Sequence, residues 1–302
     1  MHRAASFASV LPFLFSASLA AAGEPPAPES PAPAAPATPA ADTGSAPAPA
    51  AAPEPGSAAE AGAAAPVADV PAGREHELST LLPRLTLEDE LLWLDAGGTR
   101  FFAFRRTPQR GKPRGAILVV PAPGRFIDET PLIRSLRSLP PAGGYSTLAL
   151  QPPLTDPDAP PAAGTPAALC ARLGAALTAL AAEGAPMIAV AAEAASVQAV
   201  LDCNAGAPPP GVQAFAALGG WQGSFDKLGV PSIEFVPLRD PVAVAAADRR
   251  AARPVAEGAP PRRRVDIDGA DRNFSGAEVE VAKRLRGWLE RLPPPAQSAD
   301  AR

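Results

Sequence analysis

The chain has 302 residues, with 31 acidic against 27 basic side chains and a formal charge of −4. That balance excludes the basic stripe of a nucleic-acid binder. Two histidines and two cysteines are too few for a His- or Cys-rich metal centre, and no calcium-type or phosphate-type loop motif offers a cofactor site.

Met1-His2-Arg3, the apolar run Val10 to Phe15 and the small residues Ala20-Ala21-Ala22 compose a secretory signal cleaved before Gly23. The apolar run is too short to span a bilayer. No cysteine follows to carry a lipid, and an uncleaved anchor is the competing reading. Residues 23–73 are Pro/Ala-rich with almost no large apolar side chain. They cannot offset the entropy of ordering, so a disordered linker is expected there. The folded domain is expected over 74–295, with a flexible tail at 296–302. The expected location is periplasmic or secreted, with no transmembrane segment after cleavage.

Two apolar runs, Glu90 to Leu94 and Thr99 to Phe104, flank Asp95-Ala96-Gly97-Gly98 and predict a β-hairpin. Ala116 to Val120 reads as a strand buried on both faces. Thr130-Pro131 opens a helix with Leu132, Ile133, Leu136 and Leu139 at helical spacing. Gly143-Gly144 ends it, and Tyr145 to Leu150 is a strand. Thr165-Pro166 opens the next helix, striped by Leu169, Leu173, Leu177 and Leu180 and marked as soluble by Arg172 and Glu183. Strands follow at Met187 to Val190, Val212 to Leu218, Ser232 to Val236 and, at an edge, Arg263 to Ile267. Between the first two, Val197, Val200 and Leu201 belong to a helix. Ser275-Gly276-Ala277-Glu278 reads as a capping box for a last helix striped by Val281, Leu285, Trp288, Leu289 and Leu292. Trp93 and Trp288 are expected in the core. A hairpin followed by strand–helix repeats predicts an α/β fold, a mostly parallel sheet with helices on both faces.

Ligands of such sheets bind beyond the carboxyl ends of the strands. Those ends carry Pro121-Ala122-Pro123-Gly124-Arg125, Ala192-Glu193-Ala194-Ala195-Ser196, Arg239-Asp240-Pro241 and Gly269-Ala270-Asp271-Arg272-Asn273-Phe274. Their order over roughly residues 88–292 resembles the α/β-hydrolase superfamily. Leu92-Trp93-Leu94, Phe101, Arg114 to Val119, Gly144 to Pro152 and Arg286-Gly287-Trp288-Leu289 resemble more closely a bacterial family of exported α/β-hydrolase-like proteins of unknown function.

The superfamily places a serine on a strained G-x-S-x-G elbow. The matching position here is Ala194, whose methyl group cannot attack a carbonyl. Loss of the flanking glycines predicts a relaxed elbow. Glu193 is the alternative one register away, and Ser196 falls on the first helical turn. The histidine position holds Arg272, which stays protonated and is no general base. His2 and His76 are remote in sequence. Asp240 stands where the third triad member is expected, without a histidine to orient. Pro121 and Pro123 have no N–H for an oxyanion hole.

Arg272 is expected to pair with Asp240 or to bind a carboxylate, and Trp221 either lines a pocket mouth or packs. Asp271 and Glu193 are read as solvated loop charges. Cys170 and Cys203 are either a disulfide, as an oxidising compartment favours, or two separate buried thiols. The reading is therefore a non-catalytic binding or scaffolding protein of the envelope, with an envelope component or a small carboxylate as partner. A hydrolase of esters, amides or acyl groups with an unconventional nucleophile is the alternative.

Overall fold

The computed structural model describes residues 74–85, 90–109, 111, 113–154 and 165–293; the expected signal peptide and linker lie outside them, as does the expected tail. In chain order the elements are α1 (Arg74–Leu85), β1 (Glu90–Ala96), β2 (Thr99–Arg106), β3 (Gly115–Val120), α2 (Pro131–Ser138) and β4 (Tyr145–Leu150). There follow α3 (Thr165–Ala182), β5 (Ile188–Glu193), α4 (Ala195–Asp202), β6 (Ala214–Leu218), β7 (Ser232–Pro237), α5 (Pro241–Ala251), β8 (Arg262–Ile267) and α6 (Glu278–Leu289).

The strands form one eight-stranded sheet in the order β1-β2-β4-β3-β5-β6-β7-β8. The β1–β2 hairpin is antiparallel, closed by Gly97-Gly98, both at positive φ, with the Gly98 amide donating to Asp95 Oδ1. Its second strand joins β4 antiparallel, and the remaining pairs from β4 to β8 run parallel. Strands β3, β4 and β5 are buried along their whole length, which is why their apolar runs are continuous rather than alternating. Gly115 starts β3 because a Cβ there would sit 2.8 Å from the Met187 carbonyl oxygen.

Each sheet face carries its own core. On one, Leu132, Ile133 and Leu136 of α2 pack with Val281, Leu285 and Trp288 of α6. On the other, Leu169, Leu173 and Leu180 of α3 pack with Val197, Val200 and Leu201 of α4. Each such aliphatic side chain contributes about 1.5–3 kcal/mol by leaving water. Cys170 of α3 and Cys203, the residue after α4, are bridged, with Cα atoms 5.3 Å apart.

Four expectations differ from the structure. Helix α1 opens the expected domain at Arg74, where no element was predicted ahead of the hairpin, and His76 is an exposed residue on it. The helix is docked by Leu82, which joins the core, and by a buried ion pair, Glu75 with Arg172. Arg172 is therefore no mark of a solvated helix face; it is 5% exposed. Trp93 is 36% exposed rather than core. It lies on the sheet's edge strand, with Arg100 over its ring at 5.2 Å. Finally, Ser275 caps no helix. Helix α6 starts after Ala277 without a side-chain cap, because Asp271 Oδ1 takes the Asn273 and Ser275 amides and winds the segment into turns.

Candidate functional site

Ala194 sits between β5 and α4 at φ 49°, ψ −122°, a region that side chains other than glycine's rarely adopt. The elbow is thus not relaxed, contrary to the expectation from the missing glycines. Two bonds fix it. The Ala194 amide donates to the Leu218 carbonyl on β6 at 2.7 Å, and its carbonyl accepts from the Val197 amide of α4 at 3.1 Å. Such a conformation costs on the order of 1–3 kcal/mol, and sheet and helix together hold it whatever the side chain is.

The groups around the elbow are turned inward. Ser196 is fully buried, and its hydroxyl donates to the Pro121 carbonyl at 2.5 Å. Glu193, read from sequence as a solvated charge, is 4% exposed and accepts the Ala122 amide on Oε2 at 3.0 Å. It points inward because it ends a strand buried along its length. Burial pushes its carboxyl above the ordinary glutamate range, opposed in part by that amide. The consequence is chemical. In α/β-hydrolases one oxyanion donor comes from the loop after β3. Here Pro121 and Pro123 have no N–H, and the Ala122 N–H between them is spent on Glu193.

A second set of buried polar groups, not assigned a role from sequence, holds the same loop from the other side. The Gln151 side chain accepts the Ile127 amide at 2.9 Å and donates to the carbonyls of Arg125 at 3.0 Å and Pro152 at 2.8 Å. The Gln151 carbonyl accepts from Arg172 Nη1, which also pairs with Glu75 Oε1 at 2.8 Å while Nη2 pairs with Oε2 at 3.1 Å. The signals were a glutamine directly after a fully buried strand and an arginine within the leucine stripe of α3.

The acid–base side is looser. Asp240 follows β7 and caps α5, its Oδ1 accepting the Val242 and Ala243 amides at 3.0 and 3.2 Å. Its other oxygen lies 3.9 Å from Arg272 Nε, and the Arg272 side chain is 73% exposed. Next to it, Asn273 Oδ1 accepts from Arg125 Nη2 at 3.4 Å. Asp271 is no free loop charge, since the Ser275 amide, then its hydroxyl, hold its carboxyl below the usual range. Gly219, just past β6, would place a Cβ 3.5 Å from Phe274 and 3.7 Å from the Arg272 carbonyl oxygen. The loop carrying Arg272 therefore lies beside the strand whose end fixes Ala194.

Trp221 does not line a mouth. It is 2% exposed, edge-on to Phe225 at 4.7 Å and covered by Arg250 at 4.5 Å, which itself pairs with buried Glu234. Among the described residues no group of three or more His, Cys, Asp or Glu is placed to hold a metal ion. No helix among them is long and apolar enough to cross a membrane.

A dienelactone hydrolase from Anabaena variabilis superposes with a TM-score of 0.56 at 19% identity, over 67% of this chain and 97% of that one. An α/β serine hydrolase without lid from Xanthomonas campestris gives 0.51 at 13%, over 70% and 98%. An α/β serine hydrolase homologue from Coxiella burnetii gives 0.51 at 16%, over 68% and 98%. At these identities the likeness is one of fold. No curated protein matches the chain in sequence. The profile of a family described as a protein of unknown function, DUF3530, matches residues 5–200. The chain belongs to that family, built here on an α/β-hydrolase fold.

Proposed function

We propose that this is an exported, non-catalytic α/β-hydrolase-like protein of the cell envelope that works by binding or scaffolding. The observation that carries the reading is Ala194: an elbow of nucleophile geometry that presents a methyl group. The neighbouring geometry works against the alternative of a hydrolase with an unconventional nucleophile. The Ser196 hydroxyl donates its hydrogen bond to a backbone carbonyl in a fully buried position, and Glu193 faces inward onto Ala122. Arg272, solvent-exposed and next in sequence to Asn273, which Arg125 contacts, suits a small carboxylate ligand or an acidic envelope component. Export rests on the first 22 residues, and the Cys170–Cys203 bridge suits an oxidising compartment. The linker over 23–73 then holds the 74–295 domain away from its site of export.

The purified protein is expected to turn over no p-nitrophenyl ester above a heat-killed control and to resist fluorophosphonate labelling. Ala194→Ser alone leaves it inert, because the base is still missing; Ala194→Ser with Arg272→His is the variant in which weak activity is expected. Wild-type esterase activity abolished by Ser196→Ala or Glu193→Gln would overturn the reading. N-terminal sequencing of the protein from its native host is expected to begin at Gly23 outside the cytoplasm, and recovery of the intact Met1 form in the cytoplasm would refute export.

A further inference from the structure

A groove of about 340 Å³ opens where the start of β8 meets the second half of α6. Strands β5, β7 and β8 run in the same direction. The start of β8 therefore lies at the opposite end of the sheet from Ala194, and this is a separate place. Four cations line it: Arg263 from β8, Lys283 and Arg284 from α6, and Arg291 from the turn after it. The placement follows from two periodicities. Val265 of β8 turns into the core beneath α6, so Arg263, two residues earlier, lies on the same face. On α6, Lys283 and Gly287 are one helical step of four apart, and Gly287 leaves the middle of the groove open. Arg291 Nη1 would stand 3.5 Å from a Cβ at Gly287.

Several arginines elsewhere are matched to carboxylates: Arg172 to Glu75, Arg250 to Glu234, Arg253 to Asp226, Arg264 to Asp248 and Asp266. In the groove only Arg284 has such a partner, Glu280 of its own helix. Arg263, Lys283 and Arg291 make no ion pair among the described residues, and all three are exposed. Three unneutralised cations around one concavity, on a chain of net charge −4 with only three lysines, concentrate positive potential there. Guanidinium forks with an ammonium match the oxygens of a phosphoryl group better than a single carboxylate. We infer that this groove binds a phosphoryl group carrying two or more negative charges, on a soluble phosphate compound or on an anionic lipid headgroup.

The test uses the full chain and inorganic pyrophosphate in calorimetric titrations at low ionic strength. Saturable binding at one site is expected. The Arg263→Ala/Arg291→Ala variant should weaken it at least ~10-fold, and Lys283→Ala, on the exposed face of α6, should weaken it by less. Arg253→Ala, which removes a cation paired elsewhere, should leave it unchanged. Raised salt should weaken wild-type binding. Thermal melting of each variant separates loss of the site from loss of the fold. Flotation with phosphatidylglycerol vesicles, against phosphatidylcholine alone, distinguishes the sources. Flotation that pyrophosphate competes away assigns a headgroup, and pyrophosphate binding without flotation assigns a soluble phosphate. Absence of pyrophosphate binding at millimolar concentration, or binding undiminished in the double variant, would overturn the inference.

Discussion

The elbow side and the acid–base side of the candidate site are held by different means. At the elbow, Ala194 retains a backbone that its side chain disfavours, because a sheet bond to Leu218 and a helix bond to Val197 fix it from both directions. The loop facing it is pinned by Glu193 on one side and by the Gln151–Arg172–Glu75 chain on the other. On the acid–base side the backbone joins the two loops, the Arg239 amide donating to the Ala270 carbonyl at 2.9 Å, but the meeting of Asp240 with Arg272 depends on side chains. Asp240 has turned one oxygen to the amides of α5, and Arg272 stands in solvent 3.9 Å from the other. A backbone shape over-determined by secondary structure holds whatever side chain it carries, whereas a side-chain pairing needs its partner.

The comparison breaks first if the elbow side is not in fact anchored. Arg172→Ala leaves Glu75 buried without a counter-charge and should cost about 3–5 kcal/mol, read from the urea midpoint. A loss below ~1 kcal/mol would mean that the pair behaves like an exposed one and that α1 contributes little to holding the loop. On the acid–base side the effects should be smaller and unequal. Asp240→Ala removes a helix cap and should cost about 1 kcal/mol. Arg272→Ala removes a long, solvent-exposed pairing and should cost less than ~0.5 kcal/mol. Equal losses from the two would show that Asp240 and Arg272 act as a unit after all.

The smallest effect concerns pH. Glu193 binds its proton more tightly folded than unfolded, since burial raises its pKa. Its contribution is fully present below the ordinary glutamate range and is lost as pH climbs through the raised folded value. Glu193→Gln keeps an acceptor for the Ala122 amide and cannot titrate. The stability difference, wild type minus variant, should therefore fall with rising pH across that window. A difference flat in pH would show that Glu193 is hydrated enough to titrate normally.

The strand–helix order and the two core stripes were legible because continuous apolar runs between turn residues and stripes at helical spacing report burial directly. Leu132, Leu136 and Leu285, like Leu169 and Leu173, lie where their spacing put them. The hairpin turn at Gly97-Gly98 was equally local. The missing serine and histidine at positions 194 and 272 could be read too, since a side chain's chemistry needs no fold to be known. What position 194 does with its backbone was not legible, because a positive φ at alanine is imposed by Leu218, a residue of another strand. Glu193, Arg172 and Trp93 were misplaced for a related reason: a charge or an indole carries no mark of its neighbours. Whether a carboxylate meets water or the Ala122 amide, and whether an arginine on a leucine stripe finds a buried glutamate 97 positions away, is settled only when the sheet brings distant segments together. Sequence alone determined which groups are present and how each segment alternates; tertiary structure decided which of those groups meet, because desolvation and pairing are properties of contacts between segments.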